Sequence, residues 1–93
     1  MTDSSNFVSA VADYFDQMIP TASDDELFAA GYLRGHFDLA VGTLEVAAQP
    51  FNQQDVMVQV SSSLEQAIAN GELNADDQQL VGALWQQLQR LAA

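Results

Sequence analysis

The chain is 93 residues long and carries 13 acidic side chains against 2 basic ones, which gives a formal net charge of -11. A nucleic-acid-binding surface needs clustered lysine and arginine, and an anionic membrane repels an acidic chain, so we expect neither as a partner. The absence of cysteine excludes disulfides, thiolate metal sites and a cysteine nucleophile.

Residues 6–19 predict an amphipathic helix, because their apolar side chains recur at the spacing that keeps them on one side of a helix. These side chains are Phe7, Val8, Val11, Ala12, Tyr14, Phe15, Met18 and Ile19. Ser4 or Ser5 can cap the start. Pro20 ends the helix, because proline disfavours the helical conformation in the residue before it.

A second helix is predicted from Ser23 to about Ala48. Ser23 and Glu26 form a capping-box pattern, and the acidic first turn suits the positive end of the helix dipole. Apart from a narrow polar strip, the helix is apolar or small around its circumference. The strip consists of Arg34, Asp38 and Glu45. Such a helix is either central to the fold or covered by a partner.

Two further helices follow, over residues 53–70 and from Asn74 onwards. The third has a stripe that includes Val56, Val60 and Leu64, and Gly71 can take the left-handed conformation that ends it. The fourth begins with Asn74 as N-cap and acidic residues in its first turn. Its apolar stripe consists of Leu80, Val81, Leu84, Trp85, Leu88 and Leu91.

These elements predict an all-α fold, a compact four-helix bundle in one domain over residues 1–93. The long, mostly apolar second helix is expected at its centre, with the other three helices packed against it and sequential neighbours antiparallel. Gly31 and Gly35 lie within this helix and lower its stability. We expect them to allow close approach of a neighbouring helix.

His36 is the only histidine and admits two interpretations. It can act as a general base or a pH-sensitive ligand, since its ordinary pKa is near neutrality. It can instead be a structural side chain that binds a backbone carbonyl or a serine such as Ser61 or Ser63. The residues near His36 in the sequence do not include the partners that a catalytic site needs, so the structural interpretation is preferred.

The sequence predicts no metal, no cofactor and no catalytic residue. A di-iron bundle needs glutamate three residues before histidine, and the residue three before His36 is Leu33. The acidic clusters at residues 24–26 and 76–77 lack the calcium-loop pattern and are explained by helix capping. The serine run at residues 61–63 lacks a nucleophile elbow.

Arg34 also has two interpretations. Asp38 lies one turn further along the helix, so the two side chains are expected to form a surface ion pair. Alternatively, Arg34 anchors a carboxylate of a partner protein, since arginine is enriched at interface hot spots.

The block SDDELFAAGYLRGH at residues 23–36 resembles the signature of the YfcL family, which consists of small bacterial proteins. Two further blocks agree with this family. The first is VSSSLEQAI at residues 60–68, and the second is GEL at residues 71–73, followed by DQ at residues 77–78 and LV at residues 80–81. With Trp85, the resemblance extends over most of residues 11–88. It implies an all-helical, cytoplasmic protein and supplies no catalytic residues. It draws attention to Tyr32, Arg34 and His36.

Residues 1–6 lack the cationic and apolar regions of a signal peptide, and no apolar run approaches the ~20 residues of a membrane span, so we expect a cytoplasmic protein.

The preferred hypothesis is a non-enzymatic protein–protein interaction module whose partner is another protein or a second copy. Its candidate interaction residues are Tyr32, Arg34, His36 and Asp38. The alternative is a small-ligand-binding or catalytic bundle that uses His36. A third hypothesis is that the protein mimics nucleic acid and occupies a nucleic-acid-binding surface, and only its net charge supports this.

Overall fold

The computed structural model describes residues 5–47 and 49–92, and in those ranges the chain forms four α-helices and no strand. A 3-10 turn, Ile19–Thr21, follows the first helix and contains Pro20. The α-helices are α1 (Ser5–Met18), α2 (Asp24–Val46), α3 (Gln53–Ala69) and α4 (Ala75–Gln89). The all-α helical bundle predicted from the sequence is confirmed.

Local capping signals fix the helix boundaries. Ser23 Oγ accepts a hydrogen bond from the Glu26 amide at 3.2 Å, and Glu26 Oε1 accepts one from the Ser23 amide at 2.9 Å, so the predicted capping box is present. Asn74 caps α4 by accepting from the Asp77 amide at 2.8 Å. Gly71 has a φ of 77°, which lets the chain leave α3. The predicted caps of α1, Ser4 or the Ser5 side chain, lie outside the described part, as does Ala48.

α2 has close backbone contacts with both α3 and α4, while α1 approaches α3. Aromatic side chains join the layers at the centre, where the Phe37 ring lies 5.9 Å from the Phe7 ring of α1 and 6.4 Å from the Trp85 ring of α4. The molecule measures 36 × 31 × 19 Å, and its thinnest dimension corresponds to two layers of helices. The central position of α2 therefore agrees with the sequence-based expectation.

Residues that lie later in α2 contact residues that lie earlier in the segment containing α3. Tyr32 contacts Glu72 just beyond the end of α3, and His36, one turn later, contacts Ser63 within it. The two helices are therefore antiparallel, as expected for neighbours joined by a short connection. None of the helices in the described ranges is long and apolar enough to cross a membrane.

The structure contradicts the expected role of two glycines in α2. A Cβ atom placed on Gly31 or Gly35 has no neighbouring atom within 4 Å, so neither glycine allows close approach of another helix of this chain. Both residues are exposed. α2 is nevertheless one uninterrupted helix from Asp24 to Val46.

Candidate functional site

α2 has a buried side and an exposed side, which lie roughly opposite each other at about 100° per residue. The buried side consists of Ala29, Ala30, Leu33, Phe37 and Ala40. The opposite side, which we call the outer face, carries apolar or small residues. It consists of Phe28, Tyr32, Gly35, Leu39, Gly42 and Val46. Phe28 is 47% exposed, Leu39 66% and Val46 85%, so the packed helices leave this face open.

Tyr32 lies on the outer face and links it to the end of α3. Its hydroxyl donates a hydrogen bond to Glu72 Oε1 at 2.9 Å, and its ring stacks on Phe28 with 6.0 Å between centroids. Partial burial raises the pKa of the Tyr32 phenol to about 12, and the hydrogen bond to Glu72 and the negative charge of that carboxylate add to the effect. The Tyr32 hydroxyl therefore stays protonated, and its hydrogen bond to Glu72 holds the ring in place.

His36 lies beside Tyr32 at the border between α2 and α3. The two rings are 4.8 Å apart, and His36 Nδ1 shares a hydrogen bond of 2.5 Å with Ser63 Oγ. Of the two serines named from the sequence, Ser63 binds His36, whereas Ser61 accepts a hydrogen bond from Trp85 Nε1 at 3.1 Å. An open depression on α2 adjoins the imidazole. It is lined by Tyr32, Gly35, His36 and Leu39.

Arg34 lies on the side of α2 that faces α1. Its Nη1 atom is 3.5 Å from Asp16 Oδ1, and its guanidinium lies 5.5 Å from the centre of the Phe15 ring. The expected ion pair with Asp38 is therefore wrong, because α1 offers Arg34 a carboxylate together with an aromatic ring. Asp38 is exposed at the edge of the outer face.

Among the four candidate interaction residues, the structure brings Tyr32 and His36 together and separates them from Arg34. In residues 5–47 and 49–92, no group of three or more His, Cys, Asp or Glu side chains is placed to hold a metal ion. Buried polar side-chain atoms in the same ranges all have hydrogen-bond partners. The distinctive feature of this region is consequently its exposed apolar surface.

The sequence model of the YfcL protein family matches residues 5–90. The chain belongs to the YfcL family. A relative from Escherichia coli (strain K12), named "Uncharacterized protein YfcL", is 49% identical over 82 residues, which cover 88% of this chain and 88% of the relative. No solved structure matches the chain significantly. The YfcL match begins at Ser5, the first residue of α1, whereas the resemblance seen in the sequence covers most of residues 11–88.

Sequence reasoning on this YfcL-family chain missed two residues of the site. Glu72 was not recognised because it lies 40 positions from Tyr32 and has no local motif. The sequence pattern marks Leu39 as one of the apolar residues of α2 but does not show that its side chain is exposed. A usable signal was present, because Leu39 is four residues after Gly35 and seven after Tyr32, which places all three on one side of the helix.

Proposed function

We propose that this chain is a non-enzymatic protein-interaction module that docks a partner protein on the outer face of α2. The single observation that carries the proposal is the exposure of Phe28, Leu39 and Val46 along one face of a continuous helix. Contiguous exposed apolar surface on a small protein commonly marks a binding site. Tyr32 and His36 contribute to this surface, and Asp38 lies at its edge.

The hydrogen-bond pattern around the outer face supports a preformed surface. Tyr32 is held by Glu72, and His36 is held by Ser63, so both rings keep their positions without a partner. Aromatic side chains fixed in this way lose little conformational entropy on binding. Arg34 is engaged by Asp16 and stands outside the proposed contact.

The alternative is a small-ligand or catalytic site at His36. It is favoured by the hydrogen bond between His36 and Ser63 beside the depression formed with Gly35. Small-molecule sites generally enclose most of their ligand, whereas this depression is open to solvent. Its shape therefore favours protein docking over small-ligand binding.

A pair of matched variants tests the proposal. Leu39→Glu places a charge on the outer face, and Val58→Glu places the same charge on α3, where the side chain is comparably exposed at 59%. Because both positions are exposed, both variants are expected to retain the helical circular dichroism of the wild type. Saturable capture of a partner from cell lysate, or self-association measured by light scattering, should be lost only in Leu39→Glu.

The proposal is wrong if the wild-type protein is strictly monomeric and captures no partner to saturation. It is also wrong if Leu39→Glu and Val58→Glu retain an observed interaction to the same extent, since the outer face would then make no contribution.

A further inference from the structure

The outer face has the spacing of a coiled-coil seam. Its residues are separated by four, three, four, three and four positions, which is the alternation of d and a positions in heptads. In this pattern Phe28, Gly35 and Gly42 occupy d positions. Tyr32, Leu39 and Val46 occupy a positions. At about 1.5 Å per residue the seam extends for about 27 Å, so a second helix of three heptads can lie along it.

Glycines at two successive d positions leave room for large side chains of such a helix. No neighbouring atom lies within 4 Å of a Cβ placed on Gly35 or Gly42. At Gly35 this space is the open depression that Tyr32, His36 and Leu39 border. In coiled coils a side chain of one helix inserts between residues of the other, and these glycines provide the space for that insertion.

The charge around the seam determines which helix fits. The exposed carboxylates Asp38 and Glu45 occupy g positions on one side, and Glu72 lies beside Tyr32 on the other. The chain has no lysine and only two arginines, of which Arg34 pairs with Asp16 and Arg90 caps the far end of α4. Flanking lysine or arginine residues on the docked helix would complement the acidic borders.

The same charges disfavour a second copy of this chain. An antiparallel pair of α2 helices faces g positions with g positions, which brings Asp38 and Glu45 close to the corresponding carboxylates of the other copy. A parallel pair faces g with e positions, and those are Ala29, His36 and Thr43, which include no lysine or arginine. Neither arrangement places a lysine or arginine opposite these carboxylates.

We infer that the outer face of α2 docks a basic amphipathic helix of another protein, with large apolar side chains at heptad spacing and lysine or arginine on its flanks. This inference rests on the proposed function and specifies the chemistry of the partner. The apolar seam provides contact area, the glycines receive the large side chains, and the acidic borders select the basic flanks.

Two synthetic peptides of about three heptads test the inference with the full-length chain. Both have leucine at the seam positions, and their flanking positions carry either lysine or glutamate. Fluorescence anisotropy should show saturable binding of the lysine peptide, weakening by about tenfold or more as salt rises from about 0.05 to about 0.5 M. The glutamate peptide should not bind.

Gly35→Leu separates insertion at the seam from general attraction between a basic peptide and an acidic protein. The leucine side chain extends into open space, so the fold is retained, yet it fills the depression and leaves the net charge unchanged. We expect about tenfold weaker binding or more, as for loss of an interface hot spot. Leu39→Glu should also abolish binding although it makes the protein more acidic. Val58→Glu should bind as the wild type does.

Three results would overturn the inference. Equal binding of both peptides would show that charge does not select the partner, and unchanged binding by Gly35→Leu would show that the glycines receive no side chain. A dimer of the wild-type chain that Leu39→Glu dissociates would identify a second copy as the occupant. If neither peptide binds while lysate capture still depends on Leu39, the basic-helix inference fails and the proposed docking function stands.

Discussion

Replacing Gly31 and Gly35 by alanine should stabilise the protein, because both glycines lie in the interior of α2 and face open space. Alanine is favoured over glycine in a helix by about 1 kcal/mol per position. Unfolding entropy is about 2.1 cal/mol/K per residue, so each kcal/mol corresponds to about 5 °C in Tm for a chain of 93 residues. The double variant should therefore unfold about 10 °C above the wild type, as measured by circular dichroism at 222 nm.

Gly71→Ala is the matched control, since it makes the same chemical change at a residue whose φ is 77°. A left-handed conformation costs a residue with a Cβ about 1–2 kcal/mol, so this variant should unfold at a lower temperature. A Gly31→Ala/Gly35→Ala protein with unchanged or lower Tm would refute the reasoning. That outcome would mean that these positions are in contact with something in the folded state.

Three further predictions concern the core, the site and the N-terminus of α2. Phe37→Ala removes the ring at the centre of the bundle and should lower the free energy of unfolding in urea by about 3–5 kcal/mol. A spectrophotometric titration should place the pKa of Tyr32 at about 12, and Glu72→Gln should lower that pKa because it removes the negative charge; a Tyr32 pKa that Glu72→Gln leaves unchanged would contradict the assigned contact with the Glu72 carboxylate. Because the Ser23 amide and hydroxyl lower the pKa of Glu26 below its ordinary value of 4.5, the capping box stabilises the fold above that pH and loses this effect as the pH falls through the lowered pKa. Glu26→Gln, which removes the titrating carboxyl, should therefore weaken the acid dependence of Tm, and an unchanged dependence would exclude this role for Glu26.

The helix boundaries could be predicted from the sequence because their signals are local. Ser23 and Glu26 are three residues apart, and Asn74 directly precedes the helix that it caps, so each hydrogen bond is formed within one turn. The first helix ends next to Pro20 for an equally local reason. None of these features depends on how the helices pack.

The partners of side chains between helices could not be predicted in the same way. Ser61 and Ser63 are two positions apart, which separates them by about 200° around α3, and only the packing determines which one faces His36. Arg34 had a possible partner in Asp38 on its own helix, but the choice of Asp16 depends on where α1 lies. Likewise, the exposure of Leu39 follows from where the three other helices leave α2 open.

The single tryptophan gives the protein an intrinsic reporter that distinguishes loss of the fold from partner binding. Trp85 is buried against Phe37 and donates its indole N–H to Ser61, on the side of α2 opposite the outer face. Unfolding should shift its emission to longer wavelength as water reaches the indole, whereas a helix that docks on the outer face should leave the emission maximum unchanged. A red-shifted spectrum on adding a ligand would therefore signal that the bundle itself has opened.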